Sequence, residues 1–279
     1  MKRNNFIERS LVGTLVFLKE SVFSDDYAAR RAFLQGLDPR CKLAAILMLL
    51  LAVMFSRNIY FLAGMYALCL LLAVSSSIRL GFFLKRTWVF IPLFSLFIAV
   101  PAIFEVFTPG QAVARLQLFG LSLTITRQGL ASAGFFFIRV LTSVSLCVLL
   151  VLTTRHYALL KALRFFKIPQ VFVMTAGMCY RYIYLFIEII ENTYLAIKSR
   201  VGTVPSTKKG QMVVAWNIGG LWQRSYTLHN QVYSAMVSRG YTGEPRDMNE
   251  FSAAGIDFLW LGTAFLILGL SLWQTYYLN

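Results

Sequence analysis

The sequence predicts an all-α polytopic membrane protein, with about five transmembrane helices and two long cytoplasmic helices placed between the fourth span and the fifth. Three observations predict it. Hydrophobic residues make up 58% of the chain and charged residues 14%, against roughly 45–50% and 25% in soluble domains, so a soluble fold would lack the polar surface to cover its core. The basic residues behind the formal net charge of +15 flank apolar runs; they do not form a stripe interleaved with aromatics. That fits charges that orient a chain in a lipid bilayer and speaks against nucleic acid as a partner. Last, apolar runs recur along the chain, separated by short polar or proline-containing stretches.

The elements follow in order. Residues 1–42 form a cytoplasmic N-terminal segment, in which Phe6, Ile7, Leu11, Leu15, Leu18 and Val22 recur at near-helical spacing. This is the pattern of an amphipathic helix lying on a membrane or on the protein's own cytoplasmic part. Asp38-Pro39 reads as a helix start, since aspartate suits the N-cap and proline the first turn. Residues 43–152 form a four-helix membrane region: Leu43–Phe55, Ile59–Ser75 after the Arg57-Asn58 turn, Trp88–Phe107 with Pro92 and Pro101 inside it, and Gly129–Leu152. Proline is tolerated within a span when neighbours satisfy the freed carbonyl. Thr108–Gln128, with Pro109-Gly110, reads as a long loop. Residues 153–252 form a cytoplasmic region of three amphipathic helices, at about His156–Phe166, Gln170–Arg200 and Gln211–Arg239. Residues 253–279 form the C-terminal transmembrane helix. The first long apolar run begins near Leu43, too late for the core of a cleavable signal, so none is expected.

Lys and Arg divide unevenly between alternate connections. Residues 1–42, the segment with Arg79, Lys85 and Arg86, and residues 153–252 hold most of them; Arg57, Arg115 and Arg127 are all that the other side receives. The positive-inside rule then puts the N-terminus in the cytoplasm and the C-terminus outside. Cys41, Cys69, Cys147 and Cys179 lie far apart and imply no disulfide framework. His156 and His229 have no ligand at metal-binding spacing, so no metal site is expected. Nor is there a Gly-rich Lys-Ser/Thr phosphate loop, so any ATP chemistry must belong to a partner.

The two long cytoplasmic helices end alike. One ends Lys198-Ser199-Arg200-Val201-Gly202, and the other Ser238-Arg239-Gly240-Tyr241. Glycine past a helix end is a C-cap, and arginine in the last turn complements the helix dipole. Two capped tips presenting arginine are also suited to insertion into pockets of a partner, because the guanidinium fork pairs with carboxylates and carbonyls.

With these tips the chain resembles a known family across nearly its whole length. The pieces are Phe33-Leu34-Gln35-Gly36-Leu37-Asp38-Pro39-Arg40-Cys41-Lys42-Leu43, Leu152-Thr153-Thr154, Ala162-Leu163-Arg164, Ile168-Pro169, Tyr180-Arg181-Tyr182, Gly220-Leu221-Trp222-Gln223-Arg224-Ser225 and Ala235-Met236-Val237-Ser238-Arg239-Gly240-Tyr241. Their order and spacing resemble the transmembrane T component of energy-coupling factor (ECF) transporters, closest to the CbiQ-type cobalt transport protein. The resemblance implies a non-enzymatic subunit of an ABC-type importer in the cell membrane. It also implies two cytoplasmic ATPase subunits, which hold ATP and Mg, and a small substrate-binding membrane subunit, which holds cobalt. It implies one Ala-Arg-Gly-like coupling motif for each ATPase, matched here by Ser199-Arg200-Val201, with the glycine displaced to Gly202, and by Ser238-Arg239-Gly240. Nickel or a shared vitamin module are alternative cargoes.

Other polar residues read as structural or inter-helix groups: Asp38, Arg40, Arg139 within the fourth span, and Arg181 and Glu188, seven apart on one helix face. Arg139 is expected to cap carbonyls or snorkel, since an intramembrane charge must find partners; Glu105 sits too near the outer end of its span to pair with it. An intramembrane enzyme would need convergent acids or histidines inside the spans, and a stand-alone carrier would show repeat halves; neither is visible.

Overall fold

A computed structural model of the chain describes residues 32–88, 112–118, 121–201, 207–242 and 254–277, together with Ala28, Ser95 and residues 97–99. The expected amphipathic helix at Phe6–Val22, most of the Trp88–Phe107 span, and Gly202 lie outside the described residues. Among the described residues the fold is all-α apart from one hairpin. Its elements are α1 (Pro39–Phe55), α2 (Ile59–Ser75), α3 (Leu80–Trp88), β1 (Ala112–Leu118), β2 (Leu121–Thr126), α4 (Arg127–Thr153), α5 (His156–Leu163), α6 (Gln170–Val201), α7 (Thr207–Ser238) and α8 (Gly255–Tyr277). They divide into two compact units. One holds the described residues from Ala28 to Leu159 and from Ala254 onward; the other holds those from Leu160 to Thr242.

Short polar side chains start the helices of the first unit. The Asp38 carboxylate accepts the Arg40 N–H at 2.9 Å, ahead of Pro39 at the first helical position. The Asn58 side chain accepts the Tyr60 N–H at 2.9 Å, and the Thr126 hydroxyl accepts the Gly129 N–H at 3.1 Å. Each satisfies one of the free N–H groups of a helix start. Where a long loop is expected, β1 and β2 pair as antiparallel strands, from Leu118 opposite Leu121 to Ala112 opposite Thr126, with an irregularity between Ala112 and Ala114. The signal for a strand is present: Leu121, Leu123 and Ile125 alternate with Ser122, Thr124 and Thr126, the period of a strand. Pro109-Gly110 draws attention away from it.

Three described helices are long and apolar enough to cross a membrane: α4 with a mean hydropathy of 2.5, α8 with 1.8, and Gln170–Ile197 of α6 with 1.3. Helix α2 is apolar but shorter. Helices α1 and α8 run parallel. Asp38, before α1, meets Asp257 in the first turn of α8. At the other end the Ser271 hydroxyl donates to the Ala52 carbonyl at 2.7 Å and the Thr275 hydroxyl to the Phe55 carbonyl at 3.0 Å. Small residues (Ala45, Ala52, Ala264 and Ser271) are fully buried there, and small residues let apolar helices approach closely. Helix α4 runs antiparallel to α1: Lys42, in the first turn of α1, reaches the last residue of α4, and Arg139 reaches the far end of α1. Leu146, Leu149 and Leu152 of α4 join Ile46, Leu49 and Val53 of α1 and Leu62 and Met65 of α2 in one core.

At the Asp38 end the polar groups are tied together. Lys42 is 1% exposed, and its ammonium donates to the Thr153 carbonyl at 3.1 Å and the Thr154 hydroxyl at 3.2 Å. These residues end and cap α4, so the cation also meets the negative end of that helix. Asp257 is 2% exposed; one oxygen accepts the Asp38 N–H at 2.8 Å and the other the Ala254 N–H at 2.7 Å. The second bond is the acidic half of a capping box, closing the start of α8. Asp257→Ala orphans two N–H groups, one of them buried, and is expected to cost about 2–5 kcal/mol. Thermal unfolding in detergent, followed by tryptophan fluorescence, checks this; Asp257→Asn, which keeps one acceptor, should lower the midpoint by less.

Candidate functional site

The second unit is built on α6 and α7. Pro169 stands just before α6, where its missing N–H costs nothing, and its carbonyl accepts the Phe172 N–H at 3.0 Å. Upstream, α5 passes into a 3₁₀ turn at Arg164–Phe166 that ends on Lys167 in the left-handed region, φ 61°. Along α6 the rings of Tyr180 and Tyr184 meet edge to face with centroids 5.1 Å apart, and their hydroxyls are hydrogen-bonded.

The tip of α7 is fully specified. Gly240 has φ 76°, its N–H donates to the Val237 carbonyl at 3.0 Å, and the Tyr241 N–H reaches back to the Met236 carbonyl at 3.1 Å. This pair of bonds is a Schellman motif, with Gly240 in the left-handed position. The Ser238 hydroxyl folds back onto the Ser234 carbonyl at 2.9 Å. Tyr241 is anchored in turn, its hydroxyl donating to the Met174 sulfur at 2.8 Å, on the first turns of α6. Arg239, between these fixed points, is exposed. A rigid backbone thus presents a free-standing guanidinium, which suits bidentate pairing with a carboxylate or carbonyl.

The tip of α6 differs. The helix runs through Val201, so Arg200 lies inside the last turn, whereas Arg239 lies just past the end of α7. Arg200 and Ser199 are exposed, and the Ser199 hydroxyl donates to the Ala196 carbonyl at 2.9 Å. Between the helices, Ile189, Thr193 and Ile197 of α6 face Met212, Trp216 and Leu221 of α7 across an apolar groove of about 660 Å³. Trp216 and Trp222 are 73% and 78% exposed. Apolar surface on this scale marks contact with lipid or protein.

The other sequence-predicted residues lie apart from the tips. Asp38 caps α1 as expected, and Arg40 is half-buried beside it. Arg139 donates to the Ser56 carbonyl at 2.7 Å and lies over the Phe135 ring, 4.6 Å from its centroid. Ser56 is the C-cap of α1, so Arg139, although midway along α4, sits level with the end of a shorter helix and caps it. Arg181 and Glu188 are exposed, and neither hydrogen-bonds another helix among the described residues. Lys42 and Asp257 escape a reading based on loop charges. Their signals are nonetheless present: Lys42 falls one turn inside a helix whose start Asp38-Pro39 announces, and Asp257 is the only acid in the last apolar run. Among the described residues no cluster of three His, Cys, Asp or Glu side chains could hold a metal ion.

Apolar helices long enough to cross a membrane, and a second helical unit with an arginine-bearing tip, make a multi-pass membrane protein the class to which the chain belongs. Residues 30–250 match the family model for CbiQ, described as a cobalt transport protein, and the chain belongs to that family, as a T component of the ECF type. An uncharacterized protein of Methanocaldococcus jannaschii, MJ1571, is 32% identical over 275 residues, covering 95% of this chain and 92% of that protein. The energy-coupling factor transporter transmembrane protein EcfT of Streptococcus thermophilus is 32% identical over 154 residues, 51% of this chain and 54% of its own length. EcfT of Listeria innocua is 31% identical over 137 residues, 49% of each chain.

Nothing lies within 4 Å of a Cβ built at Gly240, so the cost of Gly240→Ala comes from the backbone angle alone. A left-handed non-glycine residue costs about 1–2 kcal/mol, which should speed amide hydrogen exchange at Gly240 and Tyr241 by about tenfold. Exchange measured by mass spectrometry on tip peptides checks it.

Proposed function

We propose that this chain is the coupling subunit of an ECF-type cobalt importer. It carries ATP-driven movement of two cytoplasmic ATPase subunits to a small membrane subunit that binds the cobalt ion, and performs no catalysis itself. The observation that carries this reading is the α7 tip, in which Arg239 is exposed between a Schellman cap and the Tyr241–Met174 anchor. A force-bearing contact needs a side chain that does not give when pushed, and this backbone is held on both sides. Arg200 on α6 is the second contact point, one arginine for each ATPase, with Ser199, Val201 and Gly202 forming its tip. The likeness to EcfT proteins supports the coupling role, and the family's printed description supports cobalt as cargo.

In this reading α6 and α7 are cytoplasmic coupling helices. The N-terminus faces the cytoplasm and the C-terminus lies outside, a topology that the distribution of Lys and Arg supports. The apolar length of Gln170–Ile197 is then surface for partner subunits, and the polar residues along α6 agree with that: Arg181, Glu188 and Glu191 interrupt it. The groove along α6 and α7 offers an apolar seat for the substrate-binding subunit.

Two experiments test it. Arg239→Ala should abolish ATP-dependent cobalt uptake by the reconstituted complex while the isolated ATPases still hydrolyse ATP; normal uptake in that variant removes the coupling tip from the mechanism. Cys179, exposed on α6, should react with a membrane-impermeant maleimide in inside-out vesicles and resist it in intact cells. Labelling from the outside would overturn the topology.

A further inference from the structure

The segment that carries both arginine tips leaves the membrane bundle after Thr154 and returns to it at Ala254. Both of these points are fastened to the same turn of α1. On the outgoing side, the buried ammonium of Lys42 holds the Thr153 carbonyl and the Thr154 hydroxyl, at 3.1 and 3.2 Å. On the returning side, Asp257 holds the Asp38 N–H and the Ala254 N–H, at 2.8 and 2.7 Å. Asp38 and Lys42 are linked within the turn itself, since the Lys42 N–H donates to the Asp38 carbonyl at 3.0 Å. The partners are separated by 111 to 219 residues in sequence, yet meet within one helical turn.

We infer that the Asp38–Lys42 turn is the clamp through which movement of the coupling helices enters the membrane bundle, with Lys42 and Asp257 as its positioning residues. This rests on the coupling role proposed above. The physical argument is about compliance. A strand of chain that leaves a bundle through unanchored residues absorbs displacement by backbone rotation. Here both strands are anchored by charged groups at the first and last residues of packed helices. A pull on either strand therefore acts on α1 as a rigid body. Helix α1 carries it on to α8 through Ser271–Ala52 and Thr275–Phe55, and to α4 through Arg139–Ser56. Lys42 has both of its hydrogen-bond partners on the outgoing strand, so its loss breaks the bonds of that strand and keeps the hydrogen bonds of the returning one.

Lys42→Met in the full complex with its ATPases and substrate-binding subunit is the test. Methionine keeps the alkyl stem of lysine and removes the ammonium, so the Thr153 carbonyl and the Thr154 hydroxyl lose their donor while most of the packing is retained. The expected result is a complex that still captures its ATPases and hydrolyses ATP within about twofold of wild type, while cobalt transport falls about tenfold or more. The ratio of ATP hydrolysed to ion moved therefore rises; a merely structural loss lowers both rates together and leaves the ratio fixed. Transport within twofold of wild type, or a proportional fall of transport and hydrolysis, overturns the inference. If Lys42→Met yields no folded protein, Thr154→Val, which removes the hydroxyl partner and keeps the Thr153 carbonyl, is read by the same ratio and the same two outcomes. Failure of the underlying coupling role has a different signature, since there Arg239→Ala would leave transport intact.

Discussion

A buried lysine ammonium must find oxygen atoms, and that requirement organises the membrane bundle. Lys42 lies one turn into α1, where its side chain points into the core and not to solvent. The acceptors within reach are the carbonyl and hydroxyl that end α4. A helix end supplies them at the right place, because its last carbonyls are unused and its dipole is negative there. One charged group therefore fixes the register of α4 against α1. Asp257 does the complementary task at the opposite kind of helix end, using an anion to close the start of α8 and hold the start of α1. A misplacement of either helix by one turn would leave a buried charge or a buried N–H unpaired, at a cost of several kcal/mol.

Much of the fold was legible in the sequence, and the reasons are local. Helix α2 falls on the residues expected of it because Asn58 starts it and an unbroken apolar run fills it. The start of α1 was announced by Asp38-Pro39. Helices α6 and α7 are legible from spacing and from Pro169. What could not be read is the part set by tertiary contact. Arg139 looks like a mid-span charge when α4 is drawn as a lone helix. It becomes an ordinary capping group once α1 is seen to end at its level. Lys42 and Asp257 look like flanking charges until three helix ends are brought together. The hairpin was written in its alternation, but a strand of six or seven residues is easily outweighed by a neighbouring Pro-Gly.

The candidate tips show the same division. The Schellman cap of α7 is a local device, and Ser238-Arg239-Gly240 carries its signature. The anchor from Tyr241 to Met174 is not local, since 67 residues separate the two. It gives the α7 tip a stiffness that composition cannot express. The apolar groove of the same unit is a surface that water covers poorly, and Trp216, which lines it, is more exposed than the average for so large a ring. That surface and the arginine tip lie on one pair of helices.

Helix lengths in the bundle are unequal. At 1.5 Å per residue α1 and α2, of 17 residues each, span about 25 Å, and α4, of 27 residues, about 40 Å. The hydrocarbon layer of a typical bilayer is about 30 Å thick. The short pair is thus under-length and the long helix over-length for the same lipid. A bilayer can meet this inequality by thinning beside α1 and α2, and a long helix such as α4 can meet it by tilting. Such a molecule carries a lipid preference in its geometry: thin membranes with short or unsaturated chains relieve the mismatch, and thicker ones load the α1–α4 contacts that the rest of the bundle leans on.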